Sequence, residues 1–225
     1  MKKYIMVTGG SGGIGFEICK KLSKKNYYTI MIFSKSFKFL NDLKKCPNII
    51  PLKMNLKNLK SIKSSLKKLD NKLNKNSKFE KIILCASPVP KILPILKSDS
   101  NQLLTHFKTS VVGHHFLLKN IINSYFKKNR KGQIITVLSK GILKEKKPVK
   151  YMGPYLIAKF ALQKLVTILQ VENPWIKIKN IYPGFTDTKM LKSFDKNYLA
   201  LIKKNDKIKP AKKVATEIIN KFLNE

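Results

Sequence analysis

The sequence predicts an α/β fold, a doubly wound parallel sheet of about six strands with helices on both faces. Three observations indicate this fold. Short apolar runs rich in β-branched residues recur along the chain, longer amphipathic segments separate them, and a glycine-rich turn follows the first run. Because connections between parallel strands are right-handed, this alternation should place the functional residues at the carboxyl ends of the strands.

The alternation assigns strands and helices in chain order. Each predicted strand is a short, largely apolar run: Tyr4–Thr8, Tyr28–Phe33, Ile49–Lys53, Lys81–Cys85, Gln133–Leu138 and Lys177–Tyr182. The helices fill the intervals, at about residues 14–25, 37–45, 58–74, 99–129, 153–172 and 211–223. The chain has no low-complexity linker, internal repeat or shift in composition, so residues 1–225 are expected to form a single domain.

The composition excludes several classes of protein. With 43% hydrophobic residues in 225, the chain can bury a core and is not a disordered protein. The first apolar stretch ends at Gly9, too early for an export signal, and no apolar run reaches the roughly 18 residues that span a bilayer. We therefore expect a cytoplasmic protein without membrane contact. Three cysteines without a CxxC pair predict neither a disulfide framework nor a metal site. Adjacent His114 and His115 are expected to be ordinary helix residues.

The formal charge of +35 comes almost entirely from lysines spread over the whole chain. Arg130 is the only arginine, whereas nucleic-acid sites usually concentrate arginine on one face. Several lysines recur at a spacing typical of a solvated helix face: Lys57, Lys60, Lys63, Lys67 and Lys68. We therefore expect no specific nucleic-acid site. The charge should still attract an anionic ligand, such as a phosphorylated cofactor, a nucleotide-linked substrate or an acidic carrier protein.

A glycine-rich turn, Thr8–Gly15 with the sequence TGGSGGIG, joins the first strand to an amphipathic helix. Glycines allow a tight turn and close approach of the backbone to a pyrophosphate, and the helix N-terminus adds free N–H groups. Such a turn alone is equally typical of an ordinary loop. The strand before it and the helix after it indicate a dinucleotide site.

Tyr155 and Lys159 form a YxxxK pair on a predicted helix, where residues four apart share a face. A neighbouring cation stabilises the phenolate and should bring the pKa of the tyrosine towards the working range of an acid–base catalyst. In a lysine-rich chain this spacing can arise by chance. The interpretation of the pair as catalytic is better supported because the pair follows a strand that leads into Ser139.

These segments resemble the short-chain dehydrogenase/reductase family, from TGGSGGIG to about residue 215, and the layout is similar to that of 3-oxoacyl-[acyl-carrier-protein] reductases. The resemblance implies a Rossmann-like fold and reduction of a ketone to an alcohol by hydride transfer. It implies that Tyr155 protonates the carbonyl oxygen, that Ser139 holds this oxygen, and that Lys159 lowers the pKa of the tyrosine and contacts the nicotinamide ribose. Ser110 stands where the family has an Asn that supports a proton-relaying water, so the relay should be weaker.

The resemblance also implies which residues bind the cofactor. After the second strand, Ser34 and Lys35 replace the carboxylate that grips the ribose of NAD, so NADPH is favoured over NADH. Asn55 and Leu56 would lie at the adenine, with Asn55 in place of the usual Asp. The remaining candidates lie in the glycine-rich turn, the turns after the fourth and sixth strands and the catalytic helix: Gly9, Ser11, Gly12, Gly13, Ile14, Gly15, Ala86, Ser87, Tyr155, Lys159, Pro183, Gly184, Thr186 and Thr188.

Three expectations concern the surroundings of the site. The segment 141–153 is longer than is usual in the family and should form a larger loop beside the substrate. The segment 189–207 resembles a substrate lid, although its apolar residues are equally typical of packing positions. The family's seventh strand, after the helix at 211–223, is expected to be absent, and a homodimer or homotetramer is expected, preferably a dimer through the helices near 99–129 and 153–172.

Several functions stay open at this point. The substrate could be a 3-oxoacyl thioester on an acidic acyl carrier protein, or a sugar or other small alcohol that fits the same residues. The chain could also be a scaffold that binds NADP without catalysis, or a nucleic-acid binder that relies on its charge. Retention of Ser139, Tyr155 and Lys159 favours an enzyme, because a binding module does not need the acid.

Overall fold

The computed structural model of the protein describes residues 2–35, 43, 46–73, 78–145 and 149–223. Their centre is a parallel sheet of six strands: β1 (Lys3–Thr8), β2 (Tyr28–Phe33), β3 (Ile49–Lys53), β4 (Lys78–Leu84), β5 (Gly132–Val137) and β6 (Ile176–Ile181). The strand order is β3-β2-β1-β4-β5-β6, and every neighbouring pair is parallel. The predicted doubly wound α/β sheet is therefore confirmed.

The chain reverses its direction of winding between β1 and β4. From β1 it proceeds to β2 and β3 on one side, then crosses to β4 and continues to β5 and β6. A crevice forms at the carboxyl ends of the strands where the order reverses, which is where open α/β sheets bind their ligands. Thr8 and Leu84 are paired in register at this point, so the turns that follow both strands lie side by side.

Helices cover both faces of the sheet. They are α1 (Gly13–Ser23), α2 (Leu59–Asp70), α3 (Ser100–Phe107), α4 (His114–Ile121), α5 (Gly153–Glu172), α6 (Lys189–Lys192), α7 (Lys196–Asn205) and α8 (Ala211–Leu223). Apolar residues of α1 and α8 form one core with one face of the sheet. Those of α2, α4 and α5 form the core on the other face. None of the described helices is long and apolar enough to cross a bilayer.

Most sequence-based boundaries agree with the structure. The helices predicted at 153–172 and 211–223 match α5 and α8, and the predicted strands differ from the observed ones by at most three residues at either end. The helix predicted at 14–25 ends at Ser23, and that predicted at 58–74 begins at Leu59 and ends at Asp70. The helix predicted at 37–45 lies almost wholly outside the described residues.

The long helix predicted at 99–129 runs from Ser100 to Phe126 with two changes in winding. Lys108–Gly113 and Ile122–Phe126 are π-helical, so the segment alternates between α3, a π turn, α4 and a second π turn. π-helical turns often occur at functional sites, and the first contains Ser110. Periodicity alone does not distinguish a π turn within an otherwise helical segment.

A second, small sheet was not predicted. β7 (Thr186–Asp187) pairs in parallel with β8 (Lys209–Pro210), and α6 and α7 lie between them in the chain. This arrangement ties both ends of the lid-like segment together. Phe194, Tyr198 and Ile202 of this segment join a third apolar cluster with Met152 and Leu156. The lid-like segment is therefore anchored to the start of α5.

Candidate active site

The glycine-rich turn forms a narrow cradle between β1 and α1. Gly9 has a φ of +66°, and a Cβ there would lie 2.7 Å from Cα of Ala86. A Cβ on Gly13 would lie 2.5 Å from Cγ2 of Thr188. Gly12, the N-cap of α1, provides no side-chain cap, so no side chain of its own competes for the first N–H groups of the helix. Both features fit a diphosphate, which needs close backbone approach and free amide donors.

The turn after β4 lies directly against this cradle. The hydroxyl oxygen of Thr8 accepts hydrogen bonds from the amides of Cys85, at 3.0 Å, and Ala86, at 3.2 Å. The buried hydroxyl of Ser87 has no hydrogen-bond partner among the described residues and faces the adjacent cavity. An unsatisfied buried hydroxyl is costly, which fits a site where a polar ligand binds.

The adenine end of the predicted cofactor site lies at the carboxyl ends of β2 and β3. Ser34 and Lys35 are exposed directly after β2. The side-chain oxygen of exposed Asn55 accepts a hydrogen bond of 3.1 Å from the amide of Lys57, so it is partly used within its own turn. Leu56 is buried in the core, so its side chain is not available to a ligand.

Ser139, Tyr155 and Lys159 meet in one cavity. Ser139 follows β5, and its hydroxyl accepts a hydrogen bond of 3.2 Å from the amide of Gly141. It lies close enough to the Tyr155 side chain to act on the pKa of the tyrosine. The Lys159 ammonium lies 5.6 Å from the centroid of the Tyr155 ring, one turn along α5. The predicted sharing of a helix face by Tyr155 and Lys159 is thus seen in the structure.

Lys159 is a buried cation, with only 2% of its surface exposed. Its ammonium donates a hydrogen bond of 2.7 Å to the carbonyl of Val137. Burial lowers the pKa of Lys159 to about 8, opposed by the nearby Cys85 thiol. The group therefore titrates close to physiological pH, unlike an exposed lysine.

The pKa of Tyr155 differs from the expectation. Burial raises the pKa of Tyr155 to about 12, although the neighbouring Ser139 hydroxyl acts in the opposite direction. The expected lowering by Lys159 does not appear in this structure, where loss of hydration of the phenolate is the largest cause of the shift and Lys159 contributes none. The phenol is accordingly protonated at neutral pH, the form that can donate a proton.

The cavity that Ser139, Tyr155 and Lys159 share has a volume of about 270 Å³. Several residues predicted to bind cofactor or substrate line it: Ile14, Ser87, Ser139, Tyr155, Lys159, Pro183, Gly184, Thr186 and Thr188. The cavity is also lined by residues of the larger loop (Gly141, Val149 and Met152) and of the lid-like segment (Met190, Leu191, Phe194 and Asp206). Tyr198 and Leu199 belong to the third apolar cluster instead, and Leu201 is exposed. The lid-like segment therefore contains both lining and packing residues.

The turn after β6 is fixed by its own hydrogen bonds. The carbonyl of Pro183 accepts from the amide of Lys140 at 2.9 Å, and the Thr186 hydroxyl donates to the carbonyl of Gly184 at 3.0 Å. Thr188 caps α6 by accepting from the amide of Leu191 at 3.3 Å. These contacts fix the turn Pro183–Thr188, which lines the same cavity as Ser87.

One buried histidine beside Tyr155, His106, was not identified from the sequence. The His106 ring meets the Tyr155 ring edge-on, with centroids 5.9 Å apart. Its Nδ1 and the hydroxyls of Thr109 and Ser110 are buried without a hydrogen-bond partner among the described residues. Ser110, predicted to support a proton relay, thus has a buried hydroxyl without a partner among the described residues, and no described contact joins it to Tyr155 or Lys159.

Comparisons with known proteins agree with this fold. The chain is 27% identical over 186 residues to 3-amino-tetrahydro-pyrrolizinone reductase of Xenorhabdus hominickii, covering 81% of this chain and 61% of that relative. The chain thus spans about three-fifths of the length of this relative.

Solved structures show the same fold at low sequence identity. ElxO with NADP bound superposes with a TM-score of 0.80 at 20% identity, covering 97% of this chain and 90% of that one. A 3-ketoacyl-(acyl-carrier-protein) reductase from Brucella melitensis, complexed with NADH, gives 0.82 at 15% identity, covering 96% and 89%. The family model described as short chain dehydrogenase matches residues 3–199, which is most of the chain. The protein therefore belongs to the short chain dehydrogenase family.

Proposed function

We propose that the protein is an NADPH-dependent carbonyl reductase that converts a ketone to an alcohol. The observation that carries this proposal is the convergence of Ser139, Tyr155 and Lys159 on one cavity that is also lined by Ile14 of the glycine-rich turn. A dinucleotide on that turn and a carbonyl compound beside Tyr155 would share the same space.

The bound cofactor would supply a hydride to the carbonyl carbon. Ser139 and Tyr155, which line the same cavity, would both bind the carbonyl oxygen and orient it. Tyr155 would donate its proton to this oxygen as negative charge develops there, and its raised pKa keeps that proton in place until then. Lys159, with a pKa of about 8, would stabilise the phenolate and help return a proton to it.

The preference for NADPH rests on the residues that follow β2. Ser34 and Lys35 are exposed there and include no carboxylate, which would repel a 2′-phosphate. Lys35 supplies a cation for that phosphate, and the hydroxyls of Ser11 and Ser34 supply donors. The neighbouring ElxO structure contains NADP and the Brucella reductase contains NADH, so the fold itself accommodates both cofactors.

For the substrate, we favour a 3-oxoacyl thioester carried by an acidic acyl carrier protein. The apolar side of the cavity, with Met152, Leu191 and Phe194, suits an acyl chain. The charge of +35 suits an acidic carrier. A sugar or other small alcohol is the alternative, and the name of the Xenorhabdus relative adds small heterocyclic compounds to the substrates worth testing.

The test is NADPH oxidation by the purified protein with a panel of carbonyl compounds. The panel contains 3-oxoacyl thioesters on a carrier protein and on a small thiol, sugar ketones and small cyclic ketones. Turnover of the 3-oxoacyl thioesters, faster on the carrier, is the expected result. No turnover of any 3-oxoacyl compound would remove this substrate, and no turnover of the whole panel would favour the non-catalytic NADP-binding scaffold.

We further propose that the protein acts in the cytoplasm as a homodimer or homotetramer, with a dimer through α3, α4 and α5 preferred. Large apolar side chains on this helical face are exposed in the single chain: Leu103, Leu104, Val112, Ile157, Phe160, Ile168 and Val171. Exposed apolar groups concentrated on neighbouring helices are typical of an interface between subunits.

A further inference from the structure

A chain of hydrogen bonds connects the helix opposite α5 to the turn after β4. His114, fully buried at the start of α4, bonds through Nδ1 to the carbonyl of Ser110 and through Nε2 to the hydroxyl of Thr8, both at 3.0 Å. The Thr8 oxygen in turn accepts from the amides of Cys85 and Ala86. His114 therefore contacts, through one hydroxyl, the turn that borders the glycine cradle.

The chemistry of the partners fixes the direction of these bonds. A carbonyl only accepts, so the ring proton of His114 is on Nδ1, and Nε2 is left as an acceptor. The Thr8 hydroxyl must then donate its proton to Nε2. Its oxygen keeps both lone pairs for the amides of Cys85 and Ala86. Every donor and acceptor in the chain is matched in this arrangement alone.

The turn held in this way has few other constraints from side chains. Cys85-Ala86-Ser87-Pro88 contains no side-chain amide that could fix it from within. Within the described part of the chain, the buried hydroxyl of Ser87 has no partner. Cys85 and Ser87 nevertheless line the cavity that contains Tyr155 and Lys159. A Cβ on Gly9 would collide with the Ala86 backbone, so small shifts of this turn would also change the cradle.

We propose that His114 is a positioning residue, which holds the Cys85–Ser87 turn through Thr8 in the place required by the nicotinamide half of the dinucleotide. The inference rests on the proposed function. It assigns to His114 no contact with cofactor or substrate, because Thr8 lies between His114 and the turn.

The arrangement requires a neutral imidazole. If Nε2 carried a proton it would donate to the Thr8 oxygen, and the Thr8 hydroxyl would lose its acceptor. The titratable groups around His114 are Lys159 on α5 and, on the far side of Thr8, Cys85 at the turn. Burial, together with the charge of Lys159, lowers the pKa of His114 to about 4, although its bond to Ser110 opposes this.

The test compares two ligands that differ only in the nicotinamide half. His114→Leu removes both ring nitrogens, and we expect it to raise the Kd for NADPH roughly tenfold, the effect of one lost buried hydrogen bond. Binding of 2′-phospho-ADP-ribose, which has no nicotinamide ring, should change less than twofold. A merely structural defect would weaken the binding of both ligands to the same extent. An equal loss of affinity for NADPH and 2′-phospho-ADP-ribose would therefore overturn the proposal.

Further variants separate the proposal from simple misfolding. His114→Gln places an amide oxygen near the position of Nε2 and should recover most of the NADPH affinity. Thr8→Val should reproduce the loss that His114→Leu causes, and Thr8→Ser should not. His115→Leu, on the exposed neighbour, is the matched control and should bind both ligands normally. If His114→Leu does not fold, the comparison of Thr8→Val and His114→Gln with the wild type decides the question in the same way.

The wild type distinguishes failure of this inference from failure of the proposed function. If the unaltered protein binds neither NADPH nor 2′-phospho-ADP-ribose, the proposed function is wrong and the positioning role is wrong with it. If the wild type binds both and the variants lose both in parallel, only the positioning role is overturned.

Discussion

The ammonium of Lys159 lies 5.6 Å from the centre of the Tyr155 ring but donates its described hydrogen bond to the carbonyl of Val137. The cation is therefore held beneath the phenol by the end of β5, and not by the phenol oxygen itself. This geometry gives the two residues separate tasks. Tyr155 keeps its proton because burial raises its pKa, whereas Lys159 titrates within the physiological range.

Removal of the phenol hydroxyl should strongly lower the rate of carbonyl reduction and leave cofactor binding almost unchanged. Tyr155→Phe is expected to lower kcat for carbonyl reduction roughly 10²- to 10⁴-fold, the usual contribution of a general acid. The Kd for NADPH, measured by fluorescence titration, should change little. Tyr28→Phe, at the amino end of β2 and so away from the site, is the control. Unchanged kcat in Tyr155→Phe would show that another group donates the proton.

The activity should fall in alkaline solution because Lys159 loses its proton. With a pKa of about 8 the ammonium is charged below this pH and neutral above it, so kcat/KM for reduction should fall roughly tenfold per pH unit above about pH 8. Lys159→Met should be inactive throughout. Lys164→Met, at an exposed position later on α5, should keep both the rate and the pH profile. A wild-type profile that is flat to pH 9.5 would contradict this role.

Much of this site could be predicted from the sequence because local patterns determine it. The turn TGGSGGIG lies between an apolar strand and an amphipathic helix, and Tyr155 and Lys159 are one helical turn apart. The parallel order of the strands then brings Ser139 and Pro183–Thr188 to the same edge of the sheet. The structure brings these groups together in the cavity, as expected.

The properties that depend on burial could not be predicted in this way. The raised pKa of Tyr155 results from loss of hydration in the assembled cavity, which no spacing of residues indicates. His114 and His115 are adjacent and were both expected to be ordinary helix residues. His115 is exposed, but His114 is buried with both ring nitrogens bonded, because the packing of α4 on the sheet brings it to Thr8, 106 residues earlier in the chain.

Stability should decrease in mild acid because His114 is buried as a neutral ring. Its pKa is about 4 in the folded protein and 6.5 in the unfolded chain, so between these values the unfolded state alone binds the proton. The neutral ring makes its full contribution to the free energy of unfolding above pH 6.5, and this contribution is lost as the pH falls towards 4. The loss amounts to at most about 3 kcal/mol.

Chemical denaturation of the wild type and His114→Gln at several pH values measures this contribution. The free energy of unfolding of the variant should fall less steeply between pH 6.5 and 4, although its value at pH 7 is lower. Carboxylates and His106 titrate in both proteins, so the difference between the two curves isolates His114. Parallel curves would contradict the neutral buried ring.

The cofactor preference should reverse when the charge after β2 is reversed. Lys35→Asp is expected to raise the KM for NADPH tenfold or more, because the carboxylate would face the 2′-phosphate, and to leave the KM for NADH equal or lower. Lys24→Asp makes the same change in net charge at the far end of α1 and is the control. An equal effect of both variants on NADPH would show that only the overall charge of the protein attracts the cofactor.

The exposed apolar face of α5 should be covered by a second subunit. Phe160 and Ile168 are 52% and 50% exposed in the single chain. In the expected dimer, a charge at either position would be buried without a partner. Phe160→Glu and Ile168→Glu should therefore shift the sedimentation coefficient from that of a dimer or tetramer to that of a monomer. Leu201→Glu is the matched control, because Leu201 is 48% exposed but lies on α7. Should the wild type already sediment as a monomer, or should Leu201→Glu dissociate the assembly as readily as the α5 variants, this face is not the interface.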